Sequence, residues 1–409
     1  MNPEISHLYD ALDKVMGYIY PNELELQWSI LIVMYPYVTG LVAGAFILAS
    51  LERVFNVESV RPTYRLSLLA ALSFLLVAPL PLNMHLGHPE RGFEIFLTPN
   101  TTSAMAMFGF VYAWYLMAVL LVEVWLEYRP QIVGWSRTEP RPLVRGFYKI
   151  LTLGVTDLTP GALHLDDVVG KTITVIGLPS AVLLHGYVGF IFGSVKANPW
   201  WSTPLMPVIF LFSAMASGIA AVMLLYMFLS WTRGVRIDMR CLDTVAKFLL
   251  TAIIVAFTLE TLETIQKAYE AEEHFDILAL LVEGELHFSM VFVQIFLGSV
   301  TPVVLLGLAQ IFELPEASRK SLYAVSGVLS LIGIFAMRWN VVIGGQFFSK
   351  SLRGFTTYKL HLIGREGLLA ALGVLVLAFL ILAALLRLLP PWEPEHAPAG
   401  AGGGGGART

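Results

Sequence analysis

Between Leu82 and Phe96 the chain reads LNMHLGHPERGFEIF, which places His85, His88, Glu90 and Arg91 within seven residues. Histidine titrates near neutral pH, and a carboxylate beside apolar surface can retain a proton, so this grouping suits proton uptake and release. Related groups recur farther on. Glu260 and Glu263 close one apolar segment, and His287 opens another with Gln294 seven residues later, two turns along the same helical face. The stretch AMRWNVVIGGQFFSK brings Arg338, Trp339, Asn340 and Gln346 to the end of a third, while His185 and Glu123 lie inside other apolar runs.

The elements that carry these residues follow from composition. Apolar residues make up 56% of the 409 and charged residues 14%, against about a quarter charged in soluble domains. Uncharged runs such as LLAALGVLVLAFLILAALL match the roughly 20 apolar residues that a bilayer core requires. The chain reads as an all-α polytopic membrane protein. Nine spans are expected, near 28–51, 66–82, 104–126, 172–197, 203–231, 243–262, 284–312, 321–343 and 367–389, or ten if one more segment crosses. The stretch FYKILTLGVTDLTPGAL (147–163) is too short and polar to cross and reads as a surface-lying helix. The acidic, polar leader before Trp28 lacks the basic region and cleavage site of a signal peptide. A net charge of −4 says little about partners, and nothing points to nucleic acid.

One cysteine, Cys241, excludes a disulfide, an iron–sulfur cluster and a CxxCH haem attachment within the chain. Any metal centres that handle electrons must sit on partner subunits, and no metal site is read here.

Basic residues set the expected orientation. Fourteen Lys and Arg fall in the connections 52–65, 127–171, 232–242 and 313–320, against Lys14, Arg91, Lys196 and Lys267 on the other side. This predicts an extracytoplasmic N-terminus and a cytoplasmic C-terminus in the cytoplasmic (inner) membrane. The connection 344–366 breaks the rule with Lys350, Arg353, Lys359 and Arg365, which is expected to reflect binding rather than a miscounted span. Most of the polar groups then gather at one depth, near the outer boundary. Ionisable residues inside a membrane are costly and are functional suspects by default.

Each has a plainer reading. Glu263 stands four residues before Lys267, the spacing of a helical ion pair. His287 could cap or reach to the interface, His185 could donate to a neighbouring helix, and Glu90 with Arg91 could be a surface pair. His85 could interact with its own helix C-terminus. Glu260 has no such partner in sequence.

LGHPERGFEIF after a second span resembles the motif of the NrfD/PsrC family of quinone-interacting membrane subunits, and YPYVTGLVAGAF (35–46) is similar to that family's first helix. The ninth span and MRWNVVIGGQFFSKSLRG resemble the long branch of the family, with HybB and DsrP, and are closer to DsrP of the DsrMKJOP complex. The resemblance implies two four-helix bundles, no haem or cluster of its own, an exchangeable quinone (menaquinone), an extracytoplasmic ferredoxin-like iron–sulfur partner and further subunits of a membrane complex in sulfur metabolism. Together with the spans and the charge count, it divides the chain into a leader at 1–27, a first bundle at 28–197 with a cytoplasmic loop 127–171, and a second bundle at 203–343. An outer basic loop and final helix at 344–389 and a flexible tail at 390–409 complete the chain. The small-residue steps TGLVAGA (39–45) and SAMASGI (213–219) are alike, as a parallel repeat would make them.

On this reading His85, Glu260 and His287 are the proton or carbonyl partners of quinone. Tyr35, Asn83, Gln294 and Arg338 are lining groups, Glu123 and His185 form a proton route, and His88, Glu90 and Arg91 dock the iron–sulfur partner. The competing readings are a secondary transporter, a purely structural anchor and a hydrogenase-2-type quinone-reducing subunit. A b-type cytochrome fits poorly, because His185 and His287 differ in depth by roughly 10–15 Å at 1.5 Å per residue.

Overall fold

Ser29 accepts a hydrogen bond from the Leu31 amide and so caps the first long helix, α1 (Ile30–Arg53), which is buried on every side along its apolar length. A helix apolar all round belongs at the centre of an assembly, and α1 packs against helices from both halves of the chain. The computed structural model describes residues 26, 28–103, 107, 111, 112, 114–270, 275–348 and 355–392. The expected leader apart from Leu26, part of the third span, Lys350, Arg353 and the tail beyond Trp392 lie outside the described residues.

After α1 come α2 (Arg61–Val77) and α3 (Leu80–His85), then a π-helical segment Tyr115–Leu120 that runs into α4 (Leu121–Thr138). Next are α5 (Pro142–Leu151), α6 (Pro160–Gly193), α7 (Met206–Thr232), α8 (Met239–Glu270) and α9 (Phe275–Glu283). A π-helix, His287–Val300, continues as α10 (Thr301–Ile311), followed by α11 (Glu316–Val342) and α12 (Leu368–Leu388). Among the described residues eight helical stretches are long and apolar enough to cross a membrane. The protein is an all-helical, multi-pass integral membrane protein with about nine membrane-spanning helices. Its one β-feature among the described residues is an isolated bridge between Phe348 and Phe355.

The two small-residue steps meet each other. A β-carbon on Gly44 would stand 2.8 Å from Gly218 Cα and would strike the Ala214 carbonyl, so α1 and α7 cross with their backbones in contact. Gly298 and Gly333 do the same between the π-helix and α11. Apolar lipid gives no hydrophobic drive for helix association, so such close van der Waals contact carries it instead.

Cross-links place the connections at two ends. Arg53 with Asp167 and Arg65 with Glu127 join 52–65 to 127–171, Arg236 with Glu316 and Arg319 with Asp243 join 232–242 and the start of α8 to 313–320, and a recess lined by Arg53, Arg65, Arg233 and Arg236 brings both sets to one arginine-rich end. At the other end Asn198 donates to Gly345 O, Lys267 to Trp200 O, and Arg365 to Leu86 O. The connection 344–366 thus shares an end with 83–103 and 198–202, as nine alternating spans require.

The expected loop 127–171 is mostly helix. Its charges satisfy one another between helices, as when buried Arg129 donates to the Asp157 carbonyl at 2.6 Å and to Asp166. The single surface helix expected over 147–163 also divides. It stops at Leu151, because Leu153 (φ 50°) and Gly154 (φ 79°) turn left-handed, and Thr159 with Pro160 starts α6 twelve residues before the expected span at 172.

Candidate functional site

Two polar clusters lie at one level. Thr39, His185, Ser213, Glu260, Gln294 and Arg338 each sit seven to nine residues from the helix end away from the arginine-rich side, a depth of about 11–14 Å.

The first cluster lines a cavity of about 250 Å³ between α7, α8, α9, the π-helix and α11. Phe257, Leu278, Met290, Ile295 and Met337 make most of its wall apolar. Three polar side chains converge on it in a chain of hydrogen bonds. Gln294 Nε2 donates to Glu260 Oε2 at 3.0 Å, Asn340 Nδ2 donates to Gln294 Oε1 at 2.7 Å, and Ser289 Oγ donates to Asn340 Oδ1 at 2.6 Å. Both ends of each amide are committed, which orients the pair, while the second oxygen of Glu260 has no hydrogen-bond partner among the described residues. One turn farther along α8, Glu263 also lines the cavity and forms the ion pair with Lys267 that the i,i+4 spacing predicts, at 3.0 Å. Lys267 Nζ holds the Trp200 carbonyl at 2.9 Å, so the mouth is built from charged groups tied to the 198–202 connection.

The second cluster is sealed. Arg338, 0% exposed, donates through Nη2 to Ser213 Oγ at 2.7 Å and lies 2.9 Å from His185 Nε2, with its guanidinium 3.9 Å from the Phe210 ring centre. Arginine only donates, so His185 Nε2 accepts and its proton is on Nδ1, facing Thr39 Oγ1 at 3.4 Å. This knot ties α1, α6, α7 and α11 together and lines no part of the cavity.

Of the expected partner groups, Glu260 and Gln294 meet at the cavity and the others do not. His85 Nδ1 pairs with Glu366 Oε2 at 2.9 Å, because the connection before α12 folds back over the end of α3. Asn83 is wedged against Gly92 of the same motif. His287 is exposed at the start of the π-helix, off the cavity wall. Tyr35 is buried within the first half of the bundle beside Tyr112 and Tyr187, and Arg338 belongs to the sealed knot. His88 with Glu90 and Arg91 with Glu94 are solvent-facing pairs, at 3.0 and 3.1 Å, among exposed Phe93, Phe96 and Leu97. Glu123 is buried, accepts from Thr174 Oγ1 at 2.8 Å, and its Oε2 has no hydrogen-bond partner among the described residues. Thr174 and His185 are eleven residues apart on α6, so about 16 Å separates the two ends of the expected proton route.

Over residues 21–350 the sequence matches the family described as polysulphide reductase, NrfD, a stretch that holds both polar clusters. The chain belongs to the NrfD family. This NrfD-family chain is 26% identical over 393 residues to a selenate reductase subunit of Mesobacillus selenatarsenatis, covering 90% of this chain and 88% of the relative. It is 25% identical over 386 residues to a putative dimethyl sulfoxide reductase membrane subunit of Halobacterium salinarum, covering 89% and 83%. Protein NrfD of Escherichia coli is 28% identical over 203 residues, 49% of this chain and 59% of that one.

Sequence reasoning did not single out Asn340 as a lining group or Ser289, Glu263 and Lys267 as parts of the site. For Asn340 a signal existed. Residues two apart on a helix point about 200° away from each other at 3.6 residues per turn, so Asn340 and Arg338 could not serve the same cluster. No local signal marks the π-helix, which turns Gln294 toward Asn340. Such segments concentrate at functional sites.

Proposed function

We propose that this NrfD-family chain is the membrane subunit of a multi-subunit reductase complex and exchanges electrons between the quinone pool, as menaquinone, and an extracytoplasmic iron–sulfur partner. The observation that carries the reading is the apolar cavity closed by the Glu260–Gln294–Asn340 chain. The donor set fits the group: a cavity of about 250 Å³, just below the roughly 300 Å³ at which ligand pockets begin, has room for a ring with its tail outside. Polar atoms stand on one wall and apolar ones on the rest. Bound there, a quinol supplies two electrons and two protons. Glu260, with one oxygen held by Gln294 and the other without a partner among the described residues, takes up the two protons in turn at that second oxygen while the two electrons pass to the iron–sulfur partner, and Gln294 and Asn340 orient the ring oxygens by their fixed amides. Glu263 and Lys267 continue from the cavity toward the helix end and carry the proton to water. The close relation in length to a selenate reductase subunit and a putative dimethyl sulfoxide reductase subunit supports a place in a reductase complex.

In this proposal the arginine-rich end is cytoplasmic and the N-terminus is outside, following the positive-inside rule. The exposed His88–Leu97 surface then meets the iron–sulfur partner. A DsrP-like role predicts a sulfite-reduction partner set on co-purification, and a HybB-like role predicts a hydrogenase. The test of the site is photolabelling of the membrane-embedded complex with a quinone analogue reactive at the ring. Labels are expected in peptides containing Phe257, Met290 or Met337. Labelling confined to residues 82–97 would move the site to His85 and end the reading.

A further inference from the structure

Glu123, 2% exposed in the first half of the bundle, lines no part of the quinone cavity. At the arginine-rich end a recess of about 480 Å³ leads toward it. Arg53, Tyr64 and Glu127 are among the residues that line the recess, and Glu127 is four residues from Glu123 on the same face of α4. The charged groups of this wall are paired, Arg53 with Asp167 at 3.0 Å and Arg65 with Glu127 at 2.7 Å. Arg53 also packs on Gly170 of α6, where a β-carbon would stand 2.9 Å from Nη2. One turn deeper on α6, Thr174 donates to Glu123 Oε1 at 2.8 Å. The inner end of the recess and Glu123 are thus one turn apart along both α4 and α6.

Three buried atoms around this inner end have no hydrogen-bond partner among the described residues: Arg53 Nε, Tyr64 Oη and Glu123 Oε2. Burying a polar group without a partner is costly, and ordered water ordinarily bridges such groups. Tight packing closes the other direction. One turn beyond Thr174, a β-carbon on Gly177 would strike the Phe46 ring and stand 2.8 Å from Val119 Cγ1. Phe46 in turn meets Tyr115 edge-on, with ring centres 5.6 Å apart. Phe46 and Val119 therefore form an apolar plug between Glu123 and the His185 knot, and the open approach to Glu123 is from the recess.

We infer that the recess carries water to Glu123 and that this carboxyl exchanges its proton with the aqueous phase at the arginine-rich end. Tyr64 Oη and Arg53 Nε donate to the bridging water, and the water donates to Glu123 Oε2. A proton that arrives as hydronium binds at Oε2 and leaves water behind. It departs by the same path, because the plug bars transfer onward to His185. The site is an inlet that ends at Glu123, and it is independent of the quinone cavity at the opposite end.

The experiment introduces cysteines into the full chain, whose own Cys241 is buried, with the wild type as the blank. Membrane vesicles of each orientation are treated with a small water-soluble methanethiosulfonate, and labelling is read by intact mass. Glu123→Cys should be labelled several times faster from the arginine-rich side than from the other. It should also outpace Val119→Cys, which is just as buried but lies in the plug. Equal labelling at the two positions, or labelling of Glu123→Cys from the opposite side alone, would overturn the inlet. The infrared difference spectrum of the purified wild type between two pH values should contain a carboxyl band that Glu123→Gln lacks, and identical spectra would overturn the proton exchange. If Glu123→Cys does not fold, hydroxyl-radical footprinting of the wild type reads the water directly. Tyr64 should then be oxidised several times faster than Phe74, a buried ring on the same helix outside the recess, and equal protection of the two would overturn the inlet.

Discussion

Glu260 with its amides and Arg338 with His185 sit at the same depth, served by neighbouring positions of one helix, yet one cluster opens on a cavity and the other is sealed. In both, most buried polar atoms find partners, though Arg338 Nε has none among the described residues. They differ in what is left over. In the cavity one carboxylate oxygen, an apolar wall and a charged mouth remain available to a ligand. In the knot Arg338 Nη2 is committed to His185, Ser213 and the Phe210 carbonyl and its guanidinium lies against the Phe210 ring, and the cavity does not reach the group. An ionisable group deep in a membrane can therefore be cement as readily as chemistry, and access decides which.

Mutations can break or sharpen that contrast. Glu260→Gln keeps the hydrogen bond to Gln294 and removes the titrating group. It should lower quinol oxidation by the intact complex about 100-fold or more, as loss of a general base does. Turnover near wild type would place the chemistry elsewhere. Gln294→Ala removes the group that holds Glu260 and Asn340 together, and a hydrogen bond of this kind accounts for about tenfold in turnover. Assembly, followed by size-exclusion chromatography, should persist.

Arg338→Met should behave in the opposite way. Several interhelical hydrogen bonds at about 0.6–2 kcal/mol each disappear, so the melting temperature falls clearly. Turnover per folded molecule, measured on the monodisperse fraction, should stay within about threefold. A variant that melts normally and turns over poorly would make the knot part of the site. His85→Gln is expected to be the mildest. It loses the Glu366 pair and should leave turnover of the assembled complex within about twofold, while the connection before α12 becomes easier to cleave in limited proteolysis.

The legible part of the site was the part with a local rule. The Glu263–Lys267 pair follows from i,i+4 spacing, and the clustering of Glu260, Gln294 and Arg338 at one depth follows from counting residues to helix ends. His85 and His287 looked equivalent to Glu260 by the same count. Depth along a helix says nothing about which way a side chain faces or what a connection far along the chain lays over it. Glu366 reaches His85 across 281 residues of sequence, and no periodicity carries that contact.

By itself the sequence determined the solvent, the spans and the charged end, because a bilayer imposes about 20 apolar residues per crossing and a bias of arginine and lysine that can be counted without a partner in view. It also contained the small-residue steps at Gly44 and Gly218, though not that each packs on the other. Tertiary structure alone decided that crossing, the π-helical turn that aims Gln294 at Asn340, and the separation of Arg338 from the cavity. Helix rotation and close approach are settled by the sum of contacts between segments distant in the chain, and in lipid those contacts are van der Waals fit and hydrogen bonds rather than a hydrophobic pattern that the sequence displays.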